Sequence, residues 1–427
     1  SSAASDVYKR QDYEGSPGHA VSAKWNCARG RGFSDARANT DATRMKSTLA
    51  SYFEKTYGRP AEAFAQAPGR IEFIGNHTDY NGGLTMGVAI DKIVMAALAK
   101  RDDKKLCFAS IKTGEKVLVD MDDLQKRDRE HNWVNYPLGV FKYLLEAGMT
   151  ADCGFDMLDM SSVPPGAGLS SSAAIELSSG YAMASLYGFD IDRKSLVRIG
   201  RQSENLFVGM PCGILDQGVS GYGKADSLVY IDCLTEDFSN FPLPHKCRFW
   251  LFNSTKKHAL VDGLYAERHA ECMEAARVLS EGGKMRLLRH FTMSDLDAAK
   301  EKLSQKVYNR ARHVIEENAR VLKAKELLER GDIAGVGKLL NASHESSKTL
   351  FENSCEELDY LVDTVSGVEG VYGARLTGGG FGGAVMAFTD DTFSQTQANE
   401  VAQIYEKKFG KKPMIFACAS GDGAKTA

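Results

Sequence analysis

The chain has 427 residues, 43% of them hydrophobic, which is enough for two domains or one large one. Its 53 Lys and Arg nearly balance its 56 Asp and Glu, so no overall field favours nucleic acid or an anionic membrane as a partner. The nine cysteines are scattered and include no C-x-x-C pair, which argues against a zinc or redox motif and predicts free thiols in a reducing cytoplasm.

The N-terminal segment differs in composition from the rest of the chain. Residues 1–44 are rich in Ser, Ala, Gly, Arg and Asp, lack a sustained apolar period and contain no methionine. We expect this segment to be a disordered or non-native extension, with natural translation beginning at Met45. A helix-like segment follows over residues 45–57.

Beyond Ala67, short strand-like runs alternate with longer helical ones. The patterns predict strands at 90–100, 116–119, 227–232, 248–253 and 384–388. They predict helices at 134–147, 173–186, 193–207, 265–279 and 314–330. No apolar run reaches the length of a membrane span. The chain is therefore predicted to be α+β, with a domain boundary near residues 220–245.

A glycine- and serine-rich segment precedes one of the predicted helices. Residues 164–174 read PPGAGLSSSAA, and the two glycines let the backbone turn sharply and approach a ligand. A turn that opens into a helix N-terminus presents unpaired N–H groups to an anion, usually phosphate. The segment predicts a phosphate site, and a tight turn before a buried helix is the alternative.

A second polar segment lies upstream, at residues 67–83, which read APGRIEFIGNHTDYNGG. It concentrates Arg70, Asn76, His77 and Asp79 on a predicted turn. Side chains of both hydrogen-bonding senses are what a site for a neutral polyol requires. The alternative is a capped, solvated loop.

The segment 378–383 fits the G-x-G-x-x-G pattern of dinucleotide sites. A strand rather than a helix is predicted to follow it, which is the wrong context for a dinucleotide. We therefore expect these glycines to allow close backbone approach to another part of the fold. No Walker P-loop pattern occurs.

Two carboxylates stand in apolar surroundings, Glu204 on a predicted helix and Asp216 in the segment CGILDQ. Buried carboxylates are costly unless a cation or a metal ion pairs with them. A catalytic or metal-binding role and a structural salt bridge both remain open for each.

Taken together, these segments resemble the GHMP family of small-molecule kinases, and within it the kinases that phosphorylate galactose. The resemblance runs from about Phe53 to the C-terminus. The matching segments are 70–83, 164–174 and 375–383, with further matches at 133–136, 204–217, 312–313, 343–346 and 354–359. It implies a two-lobed α+β GHMP kinase fold. Separately, we expect the chain to be a monomer. Residues 45–235 would form an N-terminal lobe like domain 2 of ribosomal protein S5, and residues 236–427 a ferredoxin-like C-terminal lobe.

The resemblance also implies a reaction, the ATP-dependent phosphorylation of the anomeric hydroxyl of galactose. Asp216 matches the base and Arg70 the residue that pairs with it. Mg²⁺ would be held by Ser172 and Glu204. The residues implied in ATP binding are Gly166, Ala167, Gly168, Leu169, Ser170, Ser171 and Ser172. The residues implied in sugar binding are Asn76, His77, Thr78, Asp79, Gly213 and Tyr265.

Asn76 departs from the family pattern, which usually has Glu there to accept a hydrogen bond from the hydroxyl on C6. A neutral acceptor contributes about 1 kcal/mol less than a charged one. Because Asn can also donate, a C6 carboxylate such as that of galacturonate is one alternative substrate. N-acetylgalactosamine and arabinose are others, and a sugar sensor without catalysis is a further alternative.

Overall fold

The computed structural model describes residues 35–427, apart from residues 128, 165, 245–246 and 257–260. The helices are α1 (Asp35–Tyr57), α2 (Asn135–Glu146), α3 (Ser171–Tyr187), α4 (Arg193–Gln202), α5 (Leu215–Tyr222), α6 (Val261–Leu279), α7 (Met293–Ala298), α8 (Gln305–Glu329), α9 (Ile333–Ser346), α10 (Glu356–Ser366) and α11 (Gln395–Phe409). The strands are β1 (Ala63–Ile74), β2 (Leu84–Lys100), β3 (Lys105–Ser110), β4 (Lys116–Asp120), β5 (Phe155–Ser161), β6 (Ser227–Asp232), β7 (Asp237–Pro242), β8 (Arg248–Asn253), β9 (Val371–Thr377), β10 (Ala384–Thr389), β11 (Met414–Cys418) and β12 (Lys425–Thr426).

The larger sheet has eight strands, with the central order β12-β1-β2-β5-β3-β4 and with β6 and β7 continuing from β2. Its long central strands β1 and β2 are buried over most of their length, and α3 packs against both of them. The sheet takes in β7, which lies beyond the boundary expected at residue 235, and β12 from the end of the chain. The C-terminal segment thus returns to the N-terminal lobe.

The smaller sheet is antiparallel throughout, in the order β11-β8-β10-β9. Its core contains Trp250, Phe252 and Leu376, which form one cluster with Leu361 of α10 and Tyr405 of α11. The α+β class predicted from the sequence is confirmed, with one sheet in each lobe. None of the described helices is both long and apolar enough to cross a membrane.

Some element boundaries match the predicted ones and others differ. The strands β6 and β8 coincide with the predicted ranges, whereas α8 begins at Gln305, before the predicted start at residue 314. The predicted helix 193–207 is divided, because α4 passes into a π-helical turn at Ser203–Val208.

The first helix also differs from its prediction. The sequence predicted a helix from Met45 and an unstructured or non-native segment before it, but α1 begins at Asp35. Its buried residues Met45, Leu49 and Phe53 pack in one cluster with Met95 of β2. Residues 35–44 therefore extend the helix upstream of Met45, which is its first buried residue among the side chains that the structure describes. Residues 1–34 lie outside the described part of the chain.

Candidate functional site

One cavity lies where β1, the loop after it, α5, α6 and the glycine-rich turn after β9 come together. Its lining residues are Glu72, Asn76, His77, Asp79, Cys212, Leu215, Asp216, Tyr265 and Gly379. Segments far apart in sequence thus converge from both lobes. Arg70 lies on β1, rather than on the turn that the sequence predicted.

A buried ion pair stands at the edge of this cavity. Oδ1 of Asp216 lies 2.7 Å from Nε and 2.6 Å from Nη2 of Arg70, and Oδ2 accepts a 2.6 Å hydrogen bond from Oγ of Ser170. Burial alone raises the pKa of Asp216, but the Arg70 charge and the hydrogen bonds from Ser170 and Arg70 outweigh it, so this pKa lies below its usual value. Asp216 is therefore a carboxylate at neutral pH.

The predicted phosphate loop lies beside this pair. Gly166 and Gly168 both have positive φ, which glycine adopts without strain. Their carbonyl oxygens accept hydrogen bonds of 2.7 Å, Gly166 from Nδ2 of Asn253 and Gly168 from Nη1 of Arg70. Helix α3 begins at Ser171, and no side chain caps it. The first N–H groups of the helix are thus available to an anion.

Ser170 links this loop to the ion pair. It has φ +50°, in the left-handed region, and its side chain is directed to Asp216. The hydroxyl thus contacts the carboxylate expected to be the base.

Several buried oxygens at the end of the loop and beside it have no hydrogen-bond partner among the described residues. They are Oγ of Ser171, Oγ of Ser172 and Oε1 of Glu204. The other oxygen of Glu204 accepts a 2.6 Å hydrogen bond from Nε2 of Gln217, which also donates to Glu176 over 2.9 Å. Hard oxygens that lack partners fit Mg²⁺, which is bound by few protein ligands together with phosphates and water. The described residues contain no cluster of three or more His, Cys, Asp or Glu that could hold a metal ion.

Two residues of the polar loop have side chains that already form hydrogen bonds with other protein groups. Nε2 of His77 lies 3.1 Å from the carbonyl oxygen of Gly379 and Nδ1 lies 3.0 Å from the hydroxyl of Tyr80. Burial lowers the pKa of His77 to about 3, so the ring is neutral at physiological pH. The Thr78 hydroxyl donates to the backbone carbonyls of Gly75 in the loop and of Leu84 at the start of β2, and Thr78 is absent from the cavity lining.

Gly213 does not line the cavity either. A Cβ at this position would stand 2.2 Å from Cγ of Asp79, so only glycine allows Asp79 its place. The contact of Thr78 and Gly213 with a sugar stays a prediction, while in this structure the Thr78 hydroxyl binds backbone carbonyls and Gly213 makes room for Asp79.

Asp79 and Tyr265 do line the cavity. Burial, together with the nearby charges of Asp216 and Glu72, raises the pKa of Asp79 to about 6. Among the described residues, the backbone N–H of Tyr80 donates a 2.9 Å hydrogen bond to Oδ1 of Asp79.

The sequence analysis missed four cavity residues, which are Glu72, Cys212, Leu215 and Gly379. Strand alternation gives the signal for Glu72, because side chains two residues apart share a face and Arg70 was already a candidate. With Glu72 present, three carboxylates line the cavity. Such a cavity opposes an anionic sugar, so the idea that Asn76 admits galacturonate loses its basis.

Three family models match the chain. They are the GHMP kinases N terminal domain over residues 135–224, the GHMP kinases C terminal domain over 324–411, and the galactokinase galactose-binding signature over 51–100. The signature covers β1, the polar loop and β2, and the N-terminal domain model covers the phosphate loop, Glu204 and Asp216.

Relatives of known name span nearly the whole chain. A galactokinase of Staphylococcus carnosus is 37% identical over 385 residues, covering 89% of this chain and 99% of its own. One of Streptococcus thermophilus is 39% identical over 382 residues, covering 89% and 98%. The crystal structure of Lactococcus lactis galactokinase complexed with galactose has a TM-score of 0.85 at 33% identity, covering 89% of this chain and 99% of that one. A mevalonate kinase at 18% identity, with a TM-score of 0.59, shares the fold.

The two-lobed fold and the matched domains define the class of this protein, which is that of the GHMP kinases. Within that class the chain belongs to the galactokinases, by its galactose-binding signature and by its identity to galactokinases over most of its length. Its reaction is the ATP-dependent phosphorylation of galactose to galactose 1-phosphate.

Proposed function

We propose that the cavity is the galactose site, that the loop 166–172 binds the phosphates of ATP, and that Asp216 is the base of the reaction. The observation that carries this proposal is the geometry of Asp216, a buried carboxylate that lines the cavity while its neighbour Ser170 belongs to the phosphate loop. A base at this boundary can reach a sugar hydroxyl on one side, with the phosphoryl donor on the other. Phosphoryl transfer mainly requires such positioning, together with neutralisation of charge.

In the proposed mechanism, Asp216 accepts the proton of the anomeric hydroxyl as that oxygen attacks the γ-phosphorus of ATP. The bond from the γ-phosphorus to the β,γ-bridging oxygen breaks in the same step, and ADP leaves. Arg70 keeps Asp216 ionised and oriented through two contacts to Oδ1. This leaves Oδ2 as the oxygen that takes the proton, and Ser170 Oγ must share or yield that oxygen when the sugar binds. The Arg70 guanidinium also offsets negative charge that develops near the transferred group.

We propose that Mg²⁺ is held by Ser172 and Glu204, whose orphaned oxygens fit it. When bound, the ion would neutralise charge on the ATP phosphates. Gln217 holds the other carboxylate oxygen of Glu204 at 2.6 Å, which fixes the orientation of that carboxylate. The backbone N–H groups at the start of α3 would bind phosphate oxygens.

For the sugar, we propose direct contacts from Asp79 and Tyr265, with His77 forming part of the wall. Asp79 accepts hydrogen bonds from hydroxyls when it is ionised, and the aromatic ring of Tyr265 can cover a sugar face. We further propose that the protein acts as a monomer. We propose a cytoplasmic location, consistent with the free state of all eight described cysteines.

The experiment that tests the proposed mechanism is the substitution Asp216→Asn. This change preserves the shape of the side chain and removes the base, so kcat should fall by about 10²–10⁴-fold. Calorimetric titrations should show that ATP and galactose still bind. Asp159→Asn is a matched control, because Asp159 is also a buried carboxylate but lies outside the cavity. Near-wild-type turnover by Asp216→Asn would refute the assigned base.

A further inference from the structure

Glu72 is a cavity residue with one oxygen to spare. It lies two residues after Arg70 on β1, on the same face of the strand, and is only 4% exposed. Its Oε1 accepts hydrogen bonds from Nδ2 of Asn76 at 2.8 Å and from Nη2 of Arg375 at 3.0 Å. No described residue bonds to Oε2, and this atom is not among the buried side-chain atoms that lack a partner. Because Glu72 lines the cavity, Oε2 is the part of the side chain that a ligand can meet.

Asn76, in contrast, has no hydrogen-bonding capacity left. Its Nδ2 donates to Glu72 and, over 3.0 Å, to the carbonyl oxygen of Gly378. Its Oδ1 accepts hydrogen bonds from Nδ2 of Asn353 at 2.9 Å and from Oγ of Ser347 at 3.1 Å. A carboxylate and a carbonyl can only accept, so the orientation of this amide is fixed. The protein thus satisfies all four sites of the Asn76 amide, which fits a clamp on Glu72 rather than a ligand for the sugar.

We propose that Glu72 is a specificity-determining residue of the sugar site, whose Oε2 accepts a hydrogen bond from a galactose hydroxyl other than the anomeric one. Two residues along a strand span about 6.6 Å, which places Glu72 well away from Arg70 and its partner Asp216. Asn76 and Arg375 hold Oε1 and so fix the direction of Oε2. This inference rests on the proposed assignment of the cavity to the sugar.

With this hydrogen bond to Oε2, one hydroxyl of the substrate becomes important for binding. An ionised carboxylate oxygen can only accept a hydrogen bond, so it recognises a donor and penalises a substrate that lacks one. A substrate with a carboxylate at the same place would meet like charge at short range.

The test compares wild type with the variant Glu72→Gln, each assayed with galactose and with sugars that lack one hydroxyl. Steady-state kinetics would use galactose and its analogues deoxygenated at C2, C3, C4 or C6. Losing a charged acceptor should raise KM for galactose about tenfold, with kcat changed by less than about threefold. For the analogue that lacks the contacted hydroxyl, wild type and variant should have KM values that agree within about twofold. An equal rise of KM for all the sugars would overturn the proposal.

Two further variants separate possible failures. Glu317→Gln is a structural control, since the buried Glu317 holds the N–H groups of Gly75 and Asn76 without lining the cavity. It should change KM for all five sugars by a common factor. Asp79→Asn serves as the reference for the cavity itself. If it weakens galactose binding while Glu72→Gln does not, Glu72 has no such role and the cavity assignment stands. If neither variant weakens binding, the sugar site lies elsewhere.

Discussion

The three carboxylates that line the cavity have different partners. Asp216 lies against Arg70, and Glu72 lies against Arg375, both of them buried guanidinium groups. Asp79 forms no ion pair with any described residue, and its pKa is raised to about 6 by burial and by the other two carboxylates. Asp79 is therefore the carboxylate whose charge costs the folded protein most relative to an unfolded chain. A hydrogen bond from a sugar hydroxyl would offset part of this cost when the sugar binds.

This imbalance predicts that Asp79→Asn stabilises the protein in the absence of ligand. A folded pKa near 6 against a reference value of 3.8 means that the folded state binds the proton more tightly, so stability is lost as pH rises through 6. Removing the charge should raise the free energy of unfolding at pH 8 by on the order of 2–3 kcal/mol. The gain should shrink towards zero as pH approaches 4. Urea unfolding at the two pH values measures it.

The same substitution should weaken galactose binding, because an amide is a poorer acceptor than a carboxylate. Stability and affinity would then change in opposite directions, as expected for a strained functional group. An equal stability change at both pH values would contradict the electrostatic explanation. A loss of stability at pH 8 would also contradict it.

At the scale of elements, the burial of side chains along α1 predicts the effect of deleting the N-terminal segment. The described residues of α1 contribute apolar contacts through Met45, Leu49 and Phe53, whereas Asp41, Thr43 and Arg44 are exposed. Deletion of residues 1–44 should therefore change the melting temperature by no more than about 2 °C and leave kcat/KM for galactose unchanged. Phe53→Ala is the contrasting variant, since truncating a buried Phe costs about 3–5 kcal/mol. A large loss of stability on deletion would show that the upstream segment packs on the domain.

The elements that the sequence predicted well are those with local signals. Strands β6 and β8 and helix α2 follow from apolar periodicity, and the turn that leads into α3 follows from its glycines and serines. Arg70 was placed on a turn because glycines and polar residues surround it, yet the strand continues through it with shifts of register on either side, at Pro68/Arg70 and Glu72/Ile74. Tertiary pairing with β2 here outweighs the local signal for a turn.

The residues in and beside the cavity were predicted less evenly, for a physical reason. Asp216 and Arg70 were singled out, because the matched motifs carry them. Glu72 was missed, since its significance depends on Arg375, which lies 303 positions away in sequence. No local pattern encodes such a contact. Asn76 was assigned to the sugar from its sequence position alone, but its partners are Ser347, Asn353 and Gly378, which only the folded chain brings together.

At the scale of the whole molecule, polar contacts join the two lobes around the site. Arg375 of β9 in the smaller sheet reaches Glu72 and the backbone carbonyl of Phe73 on β1 of the larger one. The loop after β1 is further held by His313 and Glu317 of α8. These contacts place the cavity walls relative to each other, so we expect damage at this junction to affect stability and sugar binding together.

The substitution Arg375→Met tests this junction. Arg375 is fully buried and Glu72 nearly so, so removing the guanidinium leaves a carboxylate without its counter-charge. The free energy of unfolding should fall by about 3–5 kcal/mol, as measured by urea denaturation, and KM for galactose should rise.

The double variant Arg375→Met/Glu72→Gln removes the unpaired charge as well and should recover part of the stability, but not the galactose affinity. If the double variant were as unstable as the single one, lost packing rather than the uncompensated charge would explain the effect. Recovery of stability would instead show that the uncompensated charge caused the loss in the single variant.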